Sequence, residues 1–360
     1  MFKINSSYDL KADQINAVEN LVNNIKSKKK KHNVLLGATG TGKTFTIANV
    51  IQKLNLPTLI IAHNKTLAAQ LYGEYKALFK DNCVEYYISY FDFYQPEAYL
   101  PSSGTYIDKT SKINDLIKML RLSTLNGVTQ HKDVVVIASV ASIYGTIDPN
   151  EYKTLFLEIK VNDVFPKMQI LKRLIEIGYL RNQLTIEKNG FFYARGDVIE
   201  ISPGWTSDFN IRIELYGDTI EKIVTFSPYN HNILHEYKRY VIFPADDYLY
   251  NIDRTKLACI KIKEELKERI TFFTNQQKLA ESERIQARTN KDVEDLLNFN
   301  ICHGIENYGR HLENRPPGSA PFTLIDFFNL NDWLLIIDES HMTIPKLKVC
   351  IILILVVNLR

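Results

Sequence analysis

The sequence has few cysteines, no apolar run long enough to span a membrane and little net charge, and the first two shortages exclude classes of protein. Its four cysteines are widely spaced and form no C-x-x-C pair, which argues against a zinc site or a disulfide framework and suits a reducing cytoplasm. The chain begins without the apolar stretch of a signal peptide. Its longest apolar run, residues 349–357, is shorter than the roughly 20 residues that a membrane-spanning helix needs. We therefore expect a cytoplasmic protein with no membrane attachment.

The bulk composition is that of a globular protein with more than one domain. At 360 residues the chain exceeds what one hydrophobic core usually holds. Its hydrophobic content of 45% and charged content of 24% are ordinary for such proteins. A formal net charge of +3 is too small to indicate nucleic-acid binding. It does not exclude it either, because a basic groove can lie on a nearly neutral protein.

A G-x-x-x-x-G-K-T phosphate loop is the most informative segment. It consists of Gly37, Ala38, Thr39, Gly40, Thr41, Gly42, Lys43 and Thr44. The apolar run 34–36 predicts a strand before it, and residues 45–51 predict a helix after it, which is the context that this motif requires. Backbone N–H groups of such a loop bind phosphate, so we expect Lys43 at the β- and γ-phosphates and the Thr44 hydroxyl on Mg²⁺. The segment predicts a site for ATP and Mg²⁺.

Two further groups of residues are candidates for the same site. Asp338 and Glu339 follow a predicted strand, and carboxylates in this position hold Mg²⁺ and orient the attacking water in phosphate-loop proteins. We assign Asp338 to the metal and Glu339 to water activation, and expect His341 nearby to contact backbone or relay the nucleotide state. Gln14 precedes the loop, and its amide can bind the Hoogsteen edge of adenine while Tyr8 stacks on the base.

The hydrophobic pattern predicts an α/β fold with two inserted segments. Buried-type strands at 59–62, 134–138 and 334–337 are separated by helices such as 65–79, which indicates a mostly parallel sheet covered on both faces. Between them, residues 151–248 show short alternating strands with Gly-Asp turns and predict a small α+β domain with an antiparallel sheet. Residues 253–299 predict long helices.

An unusual density of aromatic residues occupies the segment 86–99. Prolines at 96 and 101 and the Ser-Ser-Gly turn that follows predict a projecting hairpin, with residues 105–107 as its return strand. Aromatic density more often indicates a core, but exposed rings beside an ATP site suit stacking on nucleic-acid bases. The candidate stacking residues are Tyr90, Phe91, Phe93, Tyr94 and Tyr99.

These blocks together resemble the UvrB family, the damage-verifying subunits of bacterial excinucleases. The resemblance rests on the hairpin 89–103, the phosphate loop, and the segments 138–145, 195–201, 304–308, 315–319 and 338–345. It implies a superfamily 2 helicase-like fold with a RecA-like domain, an inserted aromatic β-hairpin, a UvrA-binding α+β domain and a helical insertion. By this resemblance we expect a RecA-like domain at 1–150 with the hairpin at about 88–113, a UvrA-binding domain at 151–248, a helical domain at 249–320 and a return to the RecA-like domain at 321–345.

The resemblance also implies a function and partners. A member of this family receives damaged double-stranded DNA from UvrA, inserts the hairpin between the strands and recruits the UvrC nuclease. Arg195 matches the segment that faces UvrA, although Tyr193 stands where the family has an arginine. Phe91 and Phe93 replace tyrosines, so stacking is retained while any hydrogen bond from those hydroxyls is lost.

The resemblance stops after Pro345, and residues 346–360 form an aberrant apolar tail. We expect the second RecA-like domain, its arginine finger and the UvrC contact region to be absent from this chain. Two hypotheses of different classes therefore stand: a DNA-dependent ATPase of nucleotide excision repair, or a remnant that binds UvrA and nucleotide without turnover. A third, the transcription-repair coupling factor, is disfavoured because its corresponding region lacks a working phosphate loop.

Overall fold

Helices and strands alternate through the front of the chain, and an antiparallel region and a helical region follow. The computed structural model describes residues 1–28, 32–89, 98–100, 105–107, 115–144, 146–182, 188–246, 249, 252–299, 302, 305–328 and 332–348. For 98–100, 105–107 and 306 it describes the backbone alone.

The helices are α1 (Asp13–Lys26), α2 (Lys43–Leu54), α3 (Lys65–Leu78), α4 (Asp115–Gln130), α5 (Pro149–Thr154), α6 (Lys167–Glu176), α7 (Ile252–Asn275), α8 (Leu279–Phe299), α9 (Gly309–Leu312), α10 (Leu324–Phe328) and α11, residues 340–348. The strands are β1 (Thr58–Ala62), β2 (Cys83–Tyr87), β3 (Ala98–Leu100), β4 (Thr105–Ile107), β5 (Val134–Ser139), β6 (Leu157–Lys160), β7 (Leu180–Arg181), β8 (Phe191–Arg195), β9 (Val198–Ile201), β10 (Asn210–Tyr216), β11 (Thr219–Phe226), β12 (Ile233–Glu236), β13 (Arg239–Ile242) and β14 (Leu334–Ile337).

A four-stranded parallel sheet lies at the centre of the first region. Its strands have the order β14-β1-β5-β2, with Thr58 of β1 opposite Leu334 on one side and Val135 on the other. Every residue of β1 and β5 is buried. Uninterrupted aliphatic runs of this kind are typical of strands that are covered on both faces. The predicted parallel sheet is confirmed.

Two cores cover the two faces of this sheet. On one face α2 and α3 pack against Ile60 and Ile137, and this cluster is here called the α3-side core. On the other face α4 and α10 pack against Leu59 and Val136, and Leu347 of α11 packs against the same cluster, the α4-side core. Alternate residues of each strand therefore point into opposite cores, as the period of two requires.

The predicted strand before the phosphate loop is absent, so this expectation is wrong. Residues 34–36 pair with no strand within the described ranges, and the side chains of Val34 and Leu36 are 84% and 94% exposed. An apolar run becomes a strand only where a neighbour accepts its backbone hydrogen bonds. No strand of the described part supplies that neighbour.

A second core lies within residues 155–246. It is covered by a six-stranded sheet of order β12-β11-β10-β9-β8-β7, against which α6 packs through Ile170 and Leu174. The pairs from β8 to β12 are antiparallel, as predicted, while the short β7 runs parallel to β8. Gly196 and Gly217 have φ values of 53° and 61° in the two hairpin turns, a conformation that glycine adopts without strain.

The predicted long helices are α7 and α8. They pack through Ala258, Ile262, Val293 and Leu296, all buried. An ion pair between Arg254 of α7 and Glu151 of α5 connects this helical pair to the first region. None of the helices in the described ranges is both long and apolar enough to cross a bilayer.

Candidate nucleotide-binding site

The phosphate loop connects the exposed run 34–36 to helix α2. Gly40 and Gly42 have φ values of 82° and 75°, which side chains with a Cβ rarely adopt. Gly42 is also the N-cap of α2, and a Cβ there would lie 2.6 Å from the Gln14 amide nitrogen. Backbone conformation therefore favours glycine at both positions. The loop ends at a helix N-terminus, where unpaired N–H groups and the helix dipole favour an anion.

Side chains of the loop bond to the loop itself. The Lys43 ammonium donates to the Gly37 carbonyl oxygen at 2.8 Å, and the Thr41 hydroxyl donates to the Ala38 carbonyl oxygen at 2.8 Å. Thr44 occupies the first turn of α2 and is partly exposed. For Lys43 to reach a phosphate it must therefore exchange the Gly37 carbonyl for a phosphate oxygen.

The strand end that carries Asp338 and Glu339 lies beside the loop. The backbone N–H of Asp338 donates to the Ile61 carbonyl oxygen at 2.9 Å, which continues the pairing of β14 with β1 past the last strand residue. The Glu339 carboxylate lies 3.9 Å from the Lys43 ammonium. Glu339 has a φ of 44°, an uncommon conformation for a residue with a side chain, and such strain often accompanies a functional position.

The surroundings of Asp338 disfavour its charge. Burial of the half-covered side chain, and then the neighbouring Glu339 carboxylate, raise the pKa of Asp338 above its ordinary value, while Lys43 opposes the shift. The Thr343 hydroxyl donates to the Asp338 carbonyl oxygen at 2.6 Å and holds the turn. A divalent cation beside the two carboxylates would reverse this balance.

This arrangement fits a magnesium-bound triphosphate. The loop amides and Lys43 match the phosphate oxygens, and oxygen donors from Thr44 and Asp338 are the kind that Mg²⁺ takes beside a substrate phosphate. Glu339 is more exposed than Asp338, so a water can reach its carboxylate. Its role in water activation stays a prediction. His341 is exposed, with its Nδ1 3.4 Å from the Glu339 carboxylate. Its role as a backbone contact or as a relay of the nucleotide state stays a prediction.

Gln14 bridges the loop to its own helix. Its amide nitrogen donates to the Thr41 carbonyl oxygen at 3.0 Å, and its amide oxygen accepts from the Lys11 N–H at 3.1 Å. Both polar ends are thus engaged, and binding adenine would require Gln14 to exchange these partners. Tyr8 is 79% exposed and its ring is accessible for stacking. The adenine roles of Gln14 and Tyr8 remain predictions.

The structure places His63 beside Asp338 and Glu339, a neighbour that the sequence analysis does not predict. His63 follows β1 at the same sheet edge, close enough that a charge on its imidazole would lower the pKa of Asp338. Its Nδ1 is buried and has no hydrogen-bond partner in the described part of the chain, while the Lys346 ammonium donates to its carbonyl oxygen at 3.0 Å. Its position after the strand that pairs with β14 is the signal that identifies it.

The aromatic segment is described only in part. Strands β3 and β4 pair antiparallel, with Tyr99 opposite Tyr106, so the predicted return strand is confirmed. Tyr90, Phe91, Phe93 and Tyr94 lie outside the described residues. The assignment of these aromatic residues to DNA therefore stays a prediction.

Arg195 lies on the surface of the second core. It is the last residue of β8 and is exposed, directly before the turn at Gly196. The Lys167 ammonium donates to the Gly196 carbonyl oxygen, so two cationic side chains border this turn. Asp197 follows in the same turn and is exposed as well. The assignment of Arg195 to a partner surface therefore stays a prediction.

Three protein-family descriptions match consecutive parts of the chain. Residues 7–163 match "Type III restriction enzyme, res subunit", residues 157–248 match "UvrB interaction domain", and residues 253–314 match "UvrB third helical domain". The first match covers the parallel sheet and the phosphate loop, and the second covers the six-stranded sheet. The matches agree with a helicase-like RecA fold followed by the two inserted segments.

Whole-chain comparison gives the same assignment. The chain is 47% identical over 347 residues to UvrABC system protein B of Mycoplasma mobile, covering 96% of this chain and 52% of that protein. It is 45% identical over the same length to UvrABC system protein B of Staphylococcus haemolyticus, with the same coverage. The chain thus spans about half the length of the curated relatives it matches. Taken with the interaction and helical domains that it carries, these identities show that the chain belongs to the UvrB family.

Proposed function

We propose that this chain binds ATP with Mg²⁺ and acts in nucleotide excision repair as a UvrB-type component that verifies DNA damage. The observation that carries the proposal is the convergence of the phosphate loop with the acidic strand end, where Lys43 lies 3.9 Å from Glu339. Two segments almost three hundred residues apart supply the opposite charges that a magnesium-bound triphosphate needs.

In this proposal each group of the site has one task. Lys43 leaves the Gly37 carbonyl and binds the β- and γ-phosphates, and Thr44 and Asp338 hold Mg²⁺, which neutralises charge on the phosphates. Glu339 orients a water and accepts its proton. Gln14 and Tyr8 bind the adenine. Because Lys43 now bonds to the loop itself, nucleotide binding begins with a rearrangement of that side chain.

The remaining surfaces are assigned to macromolecular partners. The hairpin built on β3 and β4, with the aromatic residues that flank it, inserts between the strands of damaged duplex DNA and stacks on bases. The surface around Arg195 binds UvrA, which delivers the DNA, and UvrC acts afterwards. The same proposal divides the chain into a RecA-like domain (1–150), a UvrA-binding domain (151–248), a helical domain (249–320) and a return to the RecA-like domain (321–345).

The test is the affinity for a fluorescent ATP analogue in the presence of Mg²⁺. Lys43→Ala removes a charge-assisted contact worth about 1.5–3 kcal/mol, so we expect affinity to fall by about 10–100-fold. Lys53→Ala, at the exposed end of the same helix α2, is the matched control and should bind like the original chain. Equal binding by Lys43→Ala would reject the assigned site, and unchanged UvrA-dependent loading on damaged duplex would reject its role in repair.

A second function, nucleotide and UvrA binding without turnover, is favoured by one observation. The run 34–36 that leads into the phosphate loop is unpaired within the described ranges. Of the two segments that flank the loop, only helix α2 is regular secondary structure. ATP hydrolysis by this chain with UvrA and damaged DNA separates the two functions. Hydrolysis lost on Glu339→Gln, with binding retained, supports the enzyme; binding without hydrolysis supports the second function.

A further inference from the structure

His63 lies at the carboxyl edge of the parallel sheet, and the proposed function gives it no task. It comes directly after β1, and Ile61 of that strand pairs with Ile337, the residue before Asp338. The Nδ1 atom of His63 is buried and has no hydrogen-bond partner among the described residues. Leaving a buried polar atom unpaired is costly, so such an atom in a folded protein often marks a function.

The neighbouring Asn64 determines which ring nitrogen of His63 carries the proton. The Asn64 Oδ1 accepts a hydrogen bond from the Leu67 N–H at 2.7 Å, where Asn64 caps helix α3. This bond fixes the amide, so the Asn64 Nδ2 is the atom that lies 3.0 Å from the His63 Nε2. Because an amide nitrogen can only donate, the Nε2 accepts and carries no proton. The proton therefore lies on Nδ1, and the unpartnered atom is an N–H donor.

Two separate segments hold His63 in place. Asn64, at the start of α3, binds the ring at Nε2. The Lys346 ammonium of α11 donates to the backbone carbonyl oxygen of His63 at 3.0 Å. Helix α11 begins directly after Glu339, so this bond connects His63 to the segment that carries the acidic pair. A donor held at both its backbone and its ring is preorganised for an acceptor.

The charges at this edge favour Asp338 as that acceptor. The Glu339 carboxylate already faces two groups, the Lys43 ammonium at 3.9 Å and the His341 Nδ1 at 3.4 Å. Asp338 is half-buried, and His63 lies close enough for a charge on its ring to lower the pKa of that carboxyl group. Because the Nδ1 has no partner in this structure, the bond requires the Asp338 side chain to turn towards it.

The burial of Nδ1 argues against direct contact with a nucleotide. An atom without accessible surface cannot meet a ligand that arrives from solvent unless protein groups first move apart. A carboxylate on the adjacent strand approaches from within the protein. The position of His63 therefore suits a place behind Asp338 better than one against the phosphates.

We propose that His63 is a positioning residue for Asp338: its Nδ1–H donates to the Asp338 carboxylate and fixes the orientation in which that carboxylate binds Mg²⁺. This role rests on the proposed function, since it takes Asp338 as the magnesium ligand. Groups that bond to a ligating side chain from behind fix its orientation, and their loss lowers metal affinity by about 10–100-fold.

Two substitutions separate positioning from packing. In His63→Asn the side-chain amide can take the place of Nδ1 and keep the donor, whereas in His63→Gln the amide lies nearer the place of Nε2 and the donor is lost. We measure the Mg²⁺ concentration needed for half-maximal binding of a fluorescent ATP analogue to the full chain. It should rise about 10-fold or more in His63→Gln and stay close to the original value in His63→Asn. Packing predicts the reverse order, because asparagine leaves the larger cavity.

The control for these variants is His131→Gln. His131 is exposed and comes directly after α4, so this substitution should leave the Mg²⁺ requirement unchanged.

Nitrogen-15 NMR of the histidine rings gives a readout that does not depend on turnover. The His63 signals are those absent from whichever of the two variants folds. Without nucleotide we expect a proton on Nδ1 and none on Nε2. Addition of Mg²⁺ and a non-hydrolysable ATP analogue should move the Nδ1 proton downfield, because it gains a charged acceptor.

Three results would overturn the proposal. They are a proton on Nε2 instead of Nδ1, an Nδ1 proton that stays in place when Mg²⁺ and the analogue bind, and a Mg²⁺ requirement that is unchanged in His63→Gln or raised equally in both variants. Each leaves the proposed function standing, because the original chain still binds the analogue with Mg²⁺. Absence of magnesium-dependent binding in the original chain would instead reject the proposed function, and the role of His63 with it.

Discussion

The two sheets of this chain are assembled from very different stretches of sequence. In the six-stranded sheet each of the strands β8 to β12 pairs with its neighbour in the chain, through turns such as the one at Gly217. In the parallel sheet β1 pairs with β14, whose residues come after both inserted segments. One sheet is complete within some ninety residues, while the other depends on the far end of the chain.

This difference determines where function can be built. The six-stranded sheet presents a finished surface with Arg195 beside a hairpin turn. The parallel sheet brings distant segments to one edge, so Lys43 meets Glu339 there. Ligand sites at the carboxyl edge of parallel strands arise in this way.

We expect the largest effect on folding when the chain is cut into two fragments, each of which carries one of the two sheets. A fragment of residues 155–246 contains every strand of the six-stranded sheet and should unfold cooperatively on heating. A fragment of residues 1–154 lacks β14 and exposes the edge of β1, whose residues are all buried in the intact chain. We expect it to show no cooperative transition by near-ultraviolet circular dichroism.

A joined fragment supplies the control. Linking residues 1–154 to 321–348 through a flexible Gly-Ser segment restores β14 and α10 and should recover cooperative unfolding. If residues 1–154 alone melt cooperatively, the parallel sheet does not depend on β14 and the contrast between the two sheets fails.

The same contrast explains what could be predicted from the sequence. The hairpin of β10 and β11 follows from alternating residues and one Gly-Asp turn, all of them local. The strand 334–337 and its acidic end were predictable from local pattern, but its partner β1 follows only from the topology of the whole sheet. The pattern at 34–36 predicted a strand that lacks a partner in the described ranges. The bond from Lys43 to Gly37 was not predictable, because it depends on one side-chain rotamer.

A cavity in the second core should destabilise that core without changing the nucleotide site. Phe192 is the second residue of β8 and is fully buried, and Phe192→Ala should cost about 3–5 kcal/mol, a large part of the stability of a small domain. Calorimetry should show the transition of the six-stranded sheet at a lower temperature, with ATP-analogue affinity unchanged. Arg195→Ala on the same strand, exposed rather than buried, should shift the transition little. Loss of nucleotide affinity in Phe192→Ala would show that the two sheets are coupled.

We expect the smallest effect from Asp338→Asn, which should stabilise the unliganded chain but weaken the binding of magnesium and ATP. Burial and Glu339 raise the pKa of Asp338, so its charge destabilises the folded sheet. Asp338→Asn removes that charge and should raise the melting temperature of the unliganded chain by about 1–2 °C, which corresponds to less than 1 kcal/mol. In the proposed function the same change removes a ligand of Mg²⁺, so stabilisation by magnesium and ATP should disappear.

The pH dependence identifies charge as the cause. A carboxyl group with a raised pKa binds its proton more tightly in the folded state, so the penalty appears as pH rises through the folded pKa. Below the unfolded value of about 3.9 the side chain is protonated in both states, and the advantage of Asp338→Asn should vanish. Asp332→Asn, at an exposed carboxylate before the same strand, is the matched control. An advantage that persists unchanged at low pH would assign the effect to packing of the amide and leave the electrostatic account of this edge without support.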